Sequence, residues 1–375
     1  MLKKLGLAAL ILVTSLSVVG TGWAASSTTT IEVSKTALDY NIDRPLSDGA
    51  FHDGLLAAET SAGNLVYYNT KGEKAFSLPA ELKPVGDFHE QRAVVKNAKT
   101  NLYGYMNTKG TLVIPCQYTE ANFFSEGKAK VTTADTKADT KENAIIDRTG
   151  KILSHFKENV DSEYIFTDGL ALAYAPNTGK IGFVNASGQL AIPYKYKYSR
   201  GFSEGLAIVQ NSKGLYGYIN TAGKEVIPLQ YKSGGDFSEG LAPVQNTKGK
   251  WGFINKQGKV VIPFKFTDAQ DFSEGLASVK NAKNEVGFID KNGTLVIKYQ
   301  QKYDVTSPFK EGFALVGKQT QSSVSDGKFG YINRQGQLLT KLEYRAESSS
   351  FSNGYAVAFI KPGKAFIVSK QSVSK

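Results

Sequence analysis

Three histidines, one cysteine and a recurring row of acids are the side chains of this 375-residue chain best suited to chemistry, and their spacing argues against most of it. His52 and His89 each follow a phenylalanine, and His155 stands alone. With Cys116 the only cysteine and no His-x-x-x-His pair, nothing converges as the three or four ligands of a zinc site must. A serine or cysteine nucleophile would need one of those histidines as its base, and Gly-x-Ser-x-Gly is absent. No Gly-x-x-x-x-Gly-Lys-Ser/Thr loop or dinucleotide fingerprint stands between a strand and a helix. The sequence therefore predicts no cofactor, no metal and no enzyme. The alternative is a hydrolase-type enzyme, because glycosidase-like carboxylate pairs assemble from distant residues.

The acids themselves follow a repeat. Phe202-Ser203-Glu204-Gly205-Leu206-Ala207 recurs from Phe237 and from Phe272, with Gly240 and Gly275 closing the same turn, and divergent copies begin at Phe51, Phe88, Phe124, Phe166, Phe309 and Phe351. Successive anchor phenylalanines are 37, 36, 42, 36, 35, 35, 37 and 42 residues apart, which makes eight full units and a partial ninth. Glu126, Asp168, Glu204, Glu239, Glu274 and Glu311 occupy one repeat position. Each lacks a second local carboxylate or histidine to complete an oxygen shell, so they read as turn residues before cation ligands.

Each unit reads as about three antiparallel strands. In one unit these start at Gly240, at Trp251-Gly252-Phe253-Ile254 and at Val260-Val261-Ile262, the last stopped by Pro263. Asn255-Lys256-Gln257-Gly258 and its counterparts are hairpin turns, with Asn or Asp to cap the turn and Gly for positive φ. An aromatic six residues before most anchors (Tyr118, Tyr196, Tyr231, Phe266, Tyr303) is expected to pack between units. Cys116, between Pro115 and Gln117 where sister units carry Tyr194, Leu229 and Phe264, reads as filler. The two long intervals come from insertions in Thr132 to Glu142 and Gln319 to Lys328, loops on one face of the array. Those loops carry Asp135, Asp139, Glu142 and Asp326, where the hydrolase alternative would place its site.

The formal net charge is +11, from 45 Lys+Arg against 34 Asp+Glu, with only six arginines. Lysines interleaved with acids keep a surface soluble and attract anionic polymers weakly, and so few arginine forks argue against nucleic acid. Lys3 and Lys4, the apolar run Leu5 to Val19 and Gly22-Trp23-Ala24 read as a secretory signal over residues 1–24. The mature chain is then expected outside the cytoplasmic membrane, secreted or at the cell surface, with no transmembrane segment.

Trp251-Gly252-Phe253-Ile254-Asn255, then Gly258, Val261-Ile262-Pro263 and Phe272-Ser273-Glu274-Gly275, resembles the WG-repeat (KWG) family of secreted and surface-associated bacterial proteins. The resemblance covers residues 51 to 368, as a single repeat domain followed by a tail over 369–375. The tryptophan position holds Tyr103, Tyr216, Phe329, Ile181 or Val286 in other units, and Ala144 replaces one glycine. The expected architecture is an all-β, toroidal, propeller-like array, the alternative being an open β-solenoid superhelix. Residues 25–50 precede the array, and Thr30-Ile31-Glu32-Val33 can supply the strand that the last unit lacks, so Ile31 to Val33 is expected to pair near Phe366. Membership implies a binding or scaffold module whose partner is a cell-wall polymer, a glycan or a protein. Tyr103, Tyr216 and Trp251 are the candidate ligand contacts.

Overall fold

The computed structural model describes residues 28–41, 49–135, 140–156, 165–175, 177–320 and 323–373. The leader and Asp139 lie outside the described residues. The described residues contain no helix and form nine antiparallel sheets in chain order.

The unit around Trp251 shows why. Leu241–Gln245, Trp251–Asn255 and Val260–Phe266 pair in sequence, and a two-residue strand, Ser233–Gly234, is added at the front. That fourth strand recurs in most sheets and is too short for periodicity to reveal. Neighbouring side chains on a strand face opposite ways. Phe253 accordingly packs toward the following sheet and Ile254 toward the preceding one. A sheet buried on both faces reads as a continuous apolar run rather than an alternating one.

Nine hydrophobic clusters lie between consecutive sheets among the described residues, each drawing on two neighbours. One joins Tyr218, Ile227 and Tyr231 to Phe237, Ala242 and Val244 of the next unit. The anchor phenylalanine meets an aromatic of the preceding unit at nearly constant geometry: 4.9 Å between centroids for Phe183–Phe202, Tyr218–Phe237 and Phe253–Phe272. The aromatics six residues ahead of the anchors are buried in the same seams. Each large side chain so covered contributes about 1.5–3 kcal/mol, which a lone hairpin cannot gather.

The ninth cluster joins the ends. Leu56, Ala58 and Tyr68 of the first sheet pack on Val357, Phe359 and Ile367 of the last. The last sheet comprises Tyr355–Lys361, Lys364–Val373 and, on its outer edge, Thr28–Val33. Ile31 stands opposite Lys370 and Val33 opposite Val368, so the expected pairing of Ile31 to Val33 is present and the succession of packed sheets returns on itself. Leu38 and Tyr40 are buried in the same seam. The strand runs to Val373, past the tail boundary expected at 369.

One sequence expectation needs correction. Pro263 does not stop its strand, which continues to Phe266. The register shifts between Trp251↔Phe266 and Phe253↔Ile262, so Pro263 sits in a bulge on an edge strand, where its missing N–H leaves no ladder bond broken. The bulge brings the edge backbone over Gly252, where a Cβ would stand 2.7 Å from the Ile262 carbonyl oxygen. Gly104, Gly182 and Gly217 meet the same obstruction at 2.4–2.5 Å, whereas Gly287, opposite a strand with Lys298 in place of the proline, has 3.0 Å. At Ala144 the ladder runs without interruption through Asn143↔Phe156, Ala144↔His155 and Ile145↔Ser154, and a side chain fits. The glycine is a consequence of the bulge.

Candidate functional site

The repeated acids have a mechanical role. Glu204 and Gly205 both adopt positive φ, 54° and 83°, forming the two-residue hairpin turn between Ser203 and Leu206. A glutamate there costs on the order of 1 kcal/mol relative to glycine or asparagine. The carboxylate offsets that by reaching the next unit: it accepts the N–H of Glu239 at 2.6 Å and of Gly240 at 3.0 Å. Glu90 takes Gly127 N–H, Glu126 takes Gly169, Asp168 takes Gly205, Glu239 takes Gly275, Glu274 takes Gly312 and Glu311 takes Gly354, all at 2.8–3.0 Å. The serine of the same turn donates to the next anchor carbonyl, Ser203 to Phe237 and Ser238 to Phe272. Lys256 and Lys291, each from a hairpin turn of the following unit, clamp Glu204 and Glu239 at 3.2 and 3.1 Å. Burial works against ionisation of these two acids, but the lysines and backbone N–H groups outweigh it and hold both carboxyls below the usual range. No cluster of His, Cys, Asp and Glu suited to a metal occurs among the described residues.

His52 and His89 are neighbours, with tilted rings 5.2 Å apart, and His89 stacks on Phe123 at 4.3 Å. His155 pairs with Glu142 at 3.3 Å on the edge of the third sheet. The two insertions rise as the hairpins of the third and eighth sheets, Lys128–Asp135 with Thr140–Asp147 and Phe313–Thr320 with Ser323–Asn333, which are not neighbours in the circuit.

The three candidate aromatics stand on three different sheets. Tyr103, Tyr216 and Trp251 are each half-buried at the rim of a core cluster. Lys96 lies over the Tyr103 ring at 5.3 Å, and Tyr216 meets the edge of Tyr198 at 6.0 Å. Trp251 lines a cavity of about 310 Å³. Its other walls come from the short first strands, or the residues just after them, of four consecutive units: Arg200, then Ser233-Gly234-Gly235, then Ala269-Gln270-Asp271, then Pro308, with Pro243 behind.

At Gly234 and Gly235 the packing leaves no room for a side chain, because Ile208, Tyr218, Pro243 and Asp271 close over both positions. The corresponding positions hold Ser199 and Arg200 in one neighbour and Ala269 and Gln270 in the other. A Cβ on Gly235 would collide with the Asp271 carboxylate and with Pro243 Cγ at 2.7 Å. The glycine backbone is already engaged: Gly235 N–H donates to the Pro243 carbonyl at 2.8 Å, and the buried Tyr218 hydroxyl donates to the Gly235 carbonyl at 2.7 Å.

The charges around this gap are coupled. Arg200 Nη1 lies 3.9 Å from Asp236 Oδ2, and Arg200 Nε donates to the Tyr198 hydroxyl at 2.8 Å. Burial raises Asp236 despite Arg200. Burial and the charge of Asp236 together push Asp271 up to about 6, against the pull of Arg200 and the Asp236 backbone N–H.

A family model described as a WG containing repeat matches residues 103–135, 181–214, 216–251, 251–284, 287–319 and 329–361. The chain belongs to the WG-repeat family.

Every wall of the Trp251 cavity in this WG-repeat protein falls within four consecutive matched repeats. A comparison with curated proteins finds no match. Among solved structures the WG-repeat chain is similar to BamB from Moraxella catarrhalis, at 10% identity and TM-score 0.42, covering 78% of this chain and 96% of that one. It is also similar to KlHsv2 with loop 6CD replaced by a Gly-Ser linker, at 9% identity and TM-score 0.35, over 60% and 85% of the two chains. The WD40 β-propeller domain of Doa1 gives 13% identity and TM-score 0.31, over 68% and 93%.

Sequence reasoning reached Trp251 but missed Arg200, Gly234, Gly235, Gln270 and Asp271. A signal existed one and two residues ahead of the anchors, where Arg200-Gly201, Gly235-Asp236 and Gln270-Asp271 break the monotony of the units.

Proposed function

We propose that this WG-repeat protein is an exported, non-catalytic binding scaffold that contacts a cell-wall polymer or glycan through the repeat array. The leader-like residues 1–24 support export, and no described helix is long and apolar enough to cross a membrane. The observation that carries the binding role is the Trp251 cavity, an aromatic-walled depression shared by four successive units. Removal of Lys3 and Lys4 with the leader leaves +11 − 2 = +9, a surplus suited to loose capture of anionic wall material.

The test is retention of the chain from residue 25 onward on purified cell wall at low and at high salt, with the wall analysed for released fragments. Retention without fragments supports the scaffold reading. Absence of retention at any salt, or steady release of soluble fragments, overturns it.

A further inference from the structure

We propose that the cavity between Arg200, Gly235, Trp251 and Asp271 is a binding site for a neutral pyranose unit of a glycan. This deepens the scaffold reading and rests on it for the source of the ligand, while the site has its own test.

The chemistry follows from what faces the gap. A pyranose has one face of C–H groups and a rim of hydroxyls, each both donor and acceptor. The half-buried Trp251 ring, with Pro243 and Pro308, supplies apolar wall, and Asp271, Arg200 and Gln270 supply an acceptor, a donor and an amide that does both. Three planar polar groups beside one aromatic wall match that rim better than they match a hydrocarbon. The volume, about 310 Å³, sits at the lower end of the roughly 300–1,000 Å³ of small-ligand sites, which suits one sugar ring of a longer chain.

The electrostatics favour a neutral ring. Arg200 is the cationic side chain among the walls, and Asp236 already opposes it at 3.9 Å, with Asp271 adding a second carboxylate. An anionic unit would meet two acids for one guanidinium. The backbone argues against a peptide added as a strand, which needs open N–H and C=O groups. Ser233 and Gly234 are paired with Gln245 and Val244, and both backbone groups of Gly235 are taken.

The cavity also carries its own reporter. The chain has two tryptophans, Trp23 and Trp251, so a chain begun at residue 25 keeps every described residue and its tryptophan emission comes from Trp251 alone. Titration with neutral oligosaccharides, cellohexaose and chitohexaose, is expected to shift that emission saturably with at least one of them, and polygalacturonate is expected to leave it unchanged. Asp271→Asn preserves shape and the acceptor for the Asp236 N–H but removes the charged acceptor, and is expected to weaken binding at least tenfold. Arg200→Leu is expected to do the same, with thermal unfolding measured on each variant to confirm the fold.

Unchanged emission with both neutral sugars overturns the site. So does binding that survives both substitutions, or a preference for polygalacturonate. Wall retention that persists in Asp271→Asn with silent Trp251 emission overturns this site while leaving the scaffold reading intact. Sugar binding without wall retention does the reverse.

Discussion

The backbone N–H of Ile367 donates to the Ser34 hydroxyl at 3.1 Å across 333 residues of chain. Ser34 returns the contact, its own N–H reaching the Ile367 carbonyl at 2.8 Å, and the six pairs from Thr28↔Val373 to Val33↔Val368 extend it into a strand. The first segment of the chain thus completes the last sheet, and Ile31 and Val33 cover part of the final seam.

A chain begun at Ser34 exposes the edge of Lys364–Val373, an open row of N–H and C=O groups. Its melting temperature is expected to fall by several degrees, and light scattering is expected to show dimers or larger species. A monomer of unchanged melting temperature would mean that the terminal strand contributes nothing to cohesion.

The bulge rule predicts a graded series. Gly252→Ala places a methyl group 2.7 Å from the Ile262 carbonyl and is expected to cost about 1–3 kcal/mol in denaturant unfolding. Gly287→Ala, with 3.0 Å available, is expected to cost less. The reverse change, Ala144→Gly, loses about 0.5–1 kcal/mol from backbone entropy alone. Equal costs at Gly252 and Gly287 would refute the link to the bulge.

The turn acids predict acid sensitivity. Glu204 and Glu239 are held below the ordinary glutamate range, so their contribution is present above that range and is lost as pH falls through their folded values. Glu204→Ala is expected to cost about 1 kcal/mol at pH 7, and the gap from the parent protein is expected to close near pH 3. A gap that stays constant with pH would assign the loss to packing instead.

Asp271 has the opposite sign. Its folded value is raised, so the folded state gives up stability as pH climbs from the ordinary aspartate range to about 6, and the deficit is complete above that. The neighbours acting on it are Asp236, Arg200 and the Tyr218 hydroxyl. Asp271→Asn is expected to unfold later than the parent protein at pH 8, by about 2 kcal/mol, and with no difference near pH 3.5. Chemical denaturation at the two pH values measures both.

Much of the architecture was legible because the units repeat what each needs locally: an anchor phenylalanine, a Glu-Gly or Asp-Gly turn and an Asn-x-x-Gly hairpin. The ring-closing strand was legible too, since the final unit ends one strand short. The course of the chain at Pro263 was not, because proline ends a central strand but is tolerated on an edge, and edge position is a property of the assembled sheet. The site was half legible. Trp251 stands out by type, but the other walls of the cavity come from the starts of four successive units, and only the packing of those units on one another brings Arg200 near Asp271.

Every turn carboxylate reaches forward, from Glu90 to Gly127, from Glu204 to Gly240 and from Glu311 to Gly354. Such a polar, head-to-tail handhold is indifferent to which copy comes next. A gene segment of about 35 codons could be duplicated or excised in frame and the new neighbours would still clasp, leaving the circumference to be settled by whether the two termini still meet.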